Sequence, residues 1–475
     1  MQNSSFGQAR IGRRSLLASA AVIPLAGTLA SCAGSGAGNT TSTSGSSATS
    51  AVSTSPDNPF GVAKGSSVDA VIFNGGYGVD YAQYAAKLMG QQPYAANCTV
   101  TPTTTIATTL QPRFNAGNPP DVIDDSGANL IGIQTILSEI EDLTDVFAAN
   151  NLEGTPIKDT LYGGVTAPGT YNGKFAVINY VMTVYALWYS QSMFDANGWK
   201  PPTTWDEAYA LGQEAKAKNK YLFLWGKEAA TYYQTTAIGS AIKEGGNDVR
   251  LALENLKPKC WSLDPIQQVF TAMKKIIDAG MVKPGGSGTQ FTQAQAQWSS
   301  QEQALLYPSG SWIENEMKSQ TKAGFKMTGT PELTVTKNSQ MPATALHATA
   351  GEGYIVPTQA KNVAGGKEFM RVMLSKDAAT NFAKTKLAPT IVKGTVPADG
   401  FGSTALVSQI KMLDNAATDV FSWQFVDYYG MNADQLVLWN TFLGGGSSVK
   451  QLTAGLQQIT DKIANDPTIK KITVS

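Results

Sequence analysis

Histidine is nearly missing from this chain: His347 is the only one among 475 residues. Histidine-based triads and most zinc sites need an imidazole beside a nucleophile or further ligands, so the composition argues against both. No metal and no cofactor is expected. His347 itself, in "ALHATAGEGY", reads as a satisfied core or hinge residue. Cysteine is scarce as well, with Cys32, Cys98 and Cys260 alone. A small exported domain would need disulfide staples, but a chain of this length can stand on its core. Cys98 and Cys260 lie far apart and read as small buried hydrophobes with free thiols. Net charge is absent too, with 36 Lys plus Arg against 36 Asp plus Glu, so no field points to nucleic acid or to an acidic partner. Finally, no apolar run is long enough for a secure membrane span. The best of them, Ser15 to Ser31, is short and rich in Ala, Gly and Ser.

What is present at that end has the build of an export signal, with Arg10, Arg13 and Arg14 ahead of the apolar stretch. The Arg13-Arg14 pair before Ser15-Leu16-Leu17 resembles a twin-arginine signal, which is read by a receptor rather than by lipid. Leu29-Ala30-Ser31-Cys32 resembles a bacterial lipobox, which implies a diacylglyceryl group on Cys32. Two acyl chains anchor stably where one does not. Residues 33–58 are almost entirely Gly, Ala, Ser, Thr and Asn and cannot bury a core, so a flexible tether is expected. Together these features place the chain on the outer face of the cell membrane, held by lipid.

Beyond the tether, β and α patterns alternate. "VDAVIFNGGYG" is a strand ending in a glycine turn before the helix "DYAQYAAKLMGQ". "CTVTP" is a second strand, "IATTLQPRFNAG" a helix, "DVIDDSGA" a third strand, and "NLIGIQTILS" a further helix. Such alternation argues for a doubly wound, largely parallel sheet, with ligands outside the carboxyl ends of its strands. "YNGKFAVINYVMTVYALWYS" has an Asn-Gly turn and then a long strand-like run, as if crossing between lobes. The pattern restarts with a capping box at Thr204 and Glu207, the strand "YLFLWG", a helix with Pro265 in its first turn, and "QALLYPSGSW". "EGYIVPTQA" reads as the return crossing, with helices at 363–386 and in the tail from 400. The expected organisation is 59–180 with 355–395 as lobe 1, 181–354 with 396–475 as lobe 2, and a cleft between them.

With "VIFNGGYGVDY", "LQPRFNAGNPPDVIDDSGA", "YVMTVYALWYS", "TTWDEA", "SGSWIENEM" and "VAGGKEFMRVMLSKDAATNF", the chain resembles the extracellular solute-binding proteins of bacterial ABC importers from about residue 58 to 465. "GNPPDVIDDSGA" and "SWIENEM" narrow the likeness towards the aminosugar branch. One departure is "SSQEQALL", where many relatives have a glycine-lysine pair. The resemblance implies an α/β, two-lobed type II binding-protein fold with three hinge crossings. It also implies a monomeric receptor, not an enzyme, that passes N-acetylglucosamine or a chito-oligosaccharide such as N,N′-diacetylchitobiose to membrane permease subunits.

A pyranose offers an apolar face and a rim of hydroxyls, so aromatic platforms and a few fixed polar groups are sought at the predicted loop ends. Trp312, after the "PSGS" turn, corresponds to the sugar-stacking tryptophan that the resemblance implies, and Trp423 to the tail aromatic that closes over ligand. Tyr77 stands between glycines, where a large side chain has no local packing partner. Trp225 ends "YLFLWG" and reads as either cleft or core, whereas Trp188, Trp199 and Trp205 read as core. Asp124 and Asp125 follow the third strand, and an ionised carboxylate there accepts hydroxyl hydrogens strongly. Glu314 opens a helix after Trp312, Asn179, Tyr180 and Glu352 lie at the crossings, and Asp427 in the tail is a lesser candidate. A glycosidase would need two carboxylates flanking a bond, and adjacent Asp124 and Asp125 on an extended segment point opposite ways.

Overall fold

The computed structural model describes residues 53–474 apart from Ala128. The export signal, Cys32 and residues 33–52 of the tether lie outside the described residues. Among the described residues eleven strands follow in order: β1 Ser67–Phe73, β2 Asn97–Thr103, β3 Val122–Asp124, β4 Thr170–Tyr171, β5 Lys174–Phe175, β6 Ile178–Ser190, β7 Tyr221–Phe223, β8 Ala304–Gly310, β9 Met327–Thr330, β10 Leu346–Ile355 and β11 Val420–Phe421. β4 and β5 form the small hairpin, closed by Asn172 at φ 52° and Gly173 at φ 80° as an Asn-Gly turn requires.

The other nine strands make one sheet ordered β2-β1-β3-β10-β6-β8-β7, with β9 added on β6 and β11 on β10. β6 is the backbone of this arrangement. Its residues 178–184 pair with β10, and its residues 185–190 pair with β8 and β9. A single 13-residue strand therefore carries the chain from one half of the sheet into the other. β10 returns, pairing in turn with β11, β6 and β3. A third segment runs beside β6, where the Met182 amide donates to Pro389 O at 3.0 Å and the Ile391 amide to Tyr180 O at 3.0 Å. These are three crossings.

Two expectations change. The sheet is mixed rather than largely parallel, because both long crossing strands enter it antiparallel to their neighbours. The helix expected over "NLIGIQTILS" shrinks to Ile133–Ile136. Its upstream backbone bonds elsewhere: Asn129 O accepts from the Ala107 amide, and the Ile131 amide donates to Asp125 Oδ1 at 2.7 Å. The start signals elsewhere work much as read. Thr204 Oγ1 accepts from the Glu207 amide at 3.2 Å, while the Glu207 carboxylate reaches back one residue further, to the Thr203 amide at 2.8 Å. Pro265 sits in the first turn of the helix Asp264–Asp278. In the departing "SSQEQALL", Glu302 takes φ 52°, a left-handed position suited to glycine.

Trp188, Trp199 and Trp205 are buried, as expected. Cys98 is half-buried on β2 and Cys260 is buried beside Trp261, and neither is bridged. Burial pushes both thiols up to about 12. Both cysteines should therefore resist thiol reagents in the folded protein and titrate as two free thiols on denaturation without reductant. Recovery of a bridged peptide by mass spectrometry would contradict this.

Candidate ligand-binding site

A cavity of about 710 Å³ opens at the carboxyl ends of β1 and β3 and against the crossing strands, within the range of about 300–1,000 Å³ usual for small-molecule sites. Its walls combine the turn after β1 with Tyr77, the segment after β3 with Asp125 and Ser126, and Asn179, Thr183 and Tyr185 of β6. The opposite side brings Tyr232, Trp312 and Glu316, and the hinge and tail bring His347, Glu352, Trp423 and Asp427.

One wall is a run of rings. Trp312 meets Tyr185 edge-on at 5.6 Å and Tyr232 at 5.9 Å. Tyr185 stacks on His347 at 4.5 Å and 11°, and His347 stacks on Trp423 at 5.2 Å and 21°. His347 is thus fully buried yet forms part of the wall, clamped between two rings, with Glu332 Oε1 at 3.4 Å from its Nδ1. Trp312 can lie where it does because residue 310 is glycine: a Cβ there would fall 2.0 Å from Trp312 Cζ3.

The remaining walls are rich in carboxyl groups held in dense surroundings. Burial raises Asp125 to about 7, against the Ile131 amide that bonds it. Burial likewise raises Glu352, and raises Glu316 against its bond from Gln295 Nε2 at 2.8 Å. Asp427, by contrast, is exposed on the cavity lining. Among the described residues, Asp125 Oδ2, Glu352 Oε2 and Trp423 Nε1 are buried with no hydrogen-bond partner. Unsatisfied polar atoms of this kind are uncommon, and these three lie on residues that line the cavity. Glu352 also adopts φ 54°, between Gly351 and Gly353, in a region that non-glycine residues seldom occupy and that is often found at functional sites.

The structure brings seven of the eleven residues singled out by sequence to this cavity, namely Tyr77, Asp125, Asn179, Trp312, Glu352, Trp423 and the lesser candidate Asp427. Asp124, Tyr180, Trp225 and Glu314 lie off its lining. Asp124 is fully buried, accepting from Ser126 Oγ at 2.5 Å and from the Tyr81 hydroxyl at 3.3 Å; burial and then Glu352 hold it well above the usual range. Tyr180 stacks on Tyr81 in the core, because alternation along β6 sends Asn179 to the cavity and its neighbour away. Trp225 is buried over Gly286 and donates to Asn440 Oδ1 at 3.2 Å. Glu314 accepts from Ser403 Oγ. Sequence reasoning missed Glu316, although a signal existed: residues four apart share a helix face, so Trp312 and Glu316 go together while Glu314 turns away. Tyr185 follows from the alternation that places Asn179 and Thr183. Tyr232 carries no such signal, since the first turn of the helix Thr231–Gly245 reaches the site from elsewhere in the chain.

The model of the bacterial extracellular solute-binding protein family matches residues 78–380. The chain belongs to that family. It is 58% identical over 421 residues to the diacetylchitobiose binding protein NgcE of Streptomyces coelicolor, covering 89% of this chain and 90% of that one. A multiple sugar-binding protein of Streptococcus mutans is 23% identical over 60% of this chain and 66% of its own length. Among solved structures, RafE in complex with raffinose superposes with TM-score 0.66 at 18% identity, covering 83% of this chain and 99% of that one. A chitin oligosaccharide binding protein gives TM-score 0.65 at 15% identity, over 84% and 99%. These likenesses establish the two-lobed solute-binding fold. The solute-binding protein is the carbohydrate-capturing component of an ABC importer.

Proposed function

We propose that this solute-binding protein captures N,N′-diacetylchitobiose, with N-acetylglucosamine as a shorter ligand, and delivers it to permease subunits in the same membrane. The observation that carries this reading is the 58% identity over nine-tenths of the diacetylchitobiose binding protein of Streptomyces coelicolor. The cavity chemistry supports it. Trp312, Tyr185 and Trp423 present ring surfaces suited to the C–H faces of pyranoses, and Asp125, Glu316 and Glu352 are acceptors for hydroxyl and amide hydrogens. The acetamido carbonyl needs a donor, which the unpartnered indole N–H of Trp423 can supply. In this reading residues 59–180 with 355–395 form one lobe and 181–354 with 396–475 the other, closing about the crossings on the sugar.

A melting screen with N-acetylglucosamine, diacetylchitobiose, maltose, cellobiose and xylobiose tests the assignment. The largest upward shift is expected from diacetylchitobiose, since a ligand at 100 times its Kd stabilises by about 2.7 kcal/mol. A larger shift from maltose or xylobiose would replace the sugar. Release of N-acetylglucosamine from diacetylchitobiose by the pure protein would refute a receptor without catalysis.

The chain acts as a monomer tethered through lipid on Cys32 after export by the twin-arginine route, a reading supported by the motif around that residue and the polar stretch behind it. Cys32→Ala should move the protein from the membrane fraction to the soluble one. Unchanged membrane partition would remove the anchor from this account.

A further inference from the structure

Two hydrogen bonds bridge the cavity between residues far apart in the chain. The Tyr171 hydroxyl donates to Gln424 Oε1 at 3.3 Å, with the Tyr171 ring stacked on Tyr428 at 5.8 Å. Asn315 Nδ2 donates to the carbonyl oxygen of Gly76, in an exposed position. Gly76, Tyr171 and Gln424 line the cavity, whereas Asn315 does not. Gly76 lies on the turn after β1, and Asn315 on the helix Ile313–Met317 after β8. In the sheet, β1 and β8 are separated by β3, β10 and β6. The Asn315 bond therefore joins the two halves of the sheet at the solvent edge of the cavity, directly beside Tyr77 on one side and Glu316 on the other.

Its neighbours hold Asn315 in place for this. Glu314 is bound by Ser403 and Glu316 by Gln295, so three consecutive polar side chains of one short helix take three separate partners. We propose that Asn315 is a positioning residue that latches the cavity shut over bound ligand and thereby sets its residence time. This rests on the sugar-binding reading. The physical reason is differential: a bond made only when the two halves meet favours the closed arrangement alone, and a ligand bound there leaves no faster than the latch opens. A net hydrogen bond to stability corresponds to about threefold to tenfold in an equilibrium or a dissociation rate. Because Asn315 is off the lining, losing its amide removes no ligand contact.

The test uses the full chain carrying Cys32→Ser. Stopped-flow tryptophan fluorescence with diacetylchitobiose should show dissociation about threefold to tenfold faster for Asn315→Ala, and faster again for Asn315→Asp, which sets a carboxylate against the Gly76 carbonyl. Association rates and unliganded urea midpoints should be those of the parent. Parental dissociation rates in both variants would overturn the latch. Should the parent itself bind none of the sugars, the sugar reading fails and the latch is judged separately through Gly76→Cys with Asn315→Cys. A Cβ at Gly76 meets nothing within 4 Å, so the substitution fits. Closure by a disulfide or a short bis-thiol reagent, with a smaller radius of gyration in X-ray scattering than the reduced form, supports the latch. No cross-link by either route overturns it.

Discussion

Trp312→Ala should weaken sugar binding by about 30-fold or more, since an aromatic anchor in a desolvated pocket is worth about 2 kcal/mol and 1.4 kcal/mol is a factor of ten. The ring is half-buried on the cavity wall, braced by the edges of Tyr185 and Tyr232 and lying over Gly310. Some stability will go with it, because those ring contacts are lost too. A second variant separates the platform from the brace. Gly310→Ala puts a methyl 2.0 Å from the present position of Trp312 Cζ3 and must push the ring aside while truncating no side chain. It should lower affinity, with a loss of stability of at most about 1–3 kcal/mol, the usual cost of an added buried methyl, since Gly310 is buried at the end of β8. Isothermal titration and denaturant melts of both variants give the answer. Parental affinity in both would remove Trp312 from the binding surface.

Trp205→Ala should do the reverse. Trp205 opens the helix Trp205–Ala217, is 3% exposed, and donates from Nε1 to Ser240 Oγ at 2.7 Å on the helix Thr231–Gly245. Truncating a buried tryptophan leaves a cavity that costs about 3–5 kcal/mol. The loss also strands the Ser240 hydroxyl in the interior. The urea midpoint should fall well below that of Trp312→Ala, while the protein that remains folded binds sugar with near-parental affinity. A small shift in midpoint with a large loss of affinity would exchange the roles of the two tryptophans.

Much of the site's composition was legible because it follows from periodicities that need no tertiary information. The order of strands and helices, the Asn-Gly hairpin, the cap at Thr204 and the long crossing strand are local events, governed by turn chemistry and hydrophobic patterning. The scarcity of histidine and cysteine pointed away from metal chemistry. The residues expected at the ends of β1 and β3 and along the crossings include Tyr77, Asp125, Asn179 and Glu352, which share one cavity. Family membership follows from the sequence as well.

Sidedness was decided only by the tertiary structure. Asp125 lines the cavity and Asp124 lies under Tyr81 and Ser126; Asn179 lines it and Tyr180 packs on Tyr81; Glu316 lines it and Glu314 turns to Ser403. The members of each pair are close neighbours in one local segment, and one member faces the site because other parts of the fold cover the opposite face. For Glu316 the four-residue step from Trp312 was enough to choose. For Trp225 nothing local was: its burial depends on Gly286 and Asn440, far away in the chain. His347 shows the limit most plainly. Its sequence context marks a strand residue, and only the meeting of β6, β10 and the tail turns that residue into the middle ring of a wall. Local sequence determines which faces an element has; what covers each face depends on contacts between segments hundreds of residues apart, and those exist only in the folded chain.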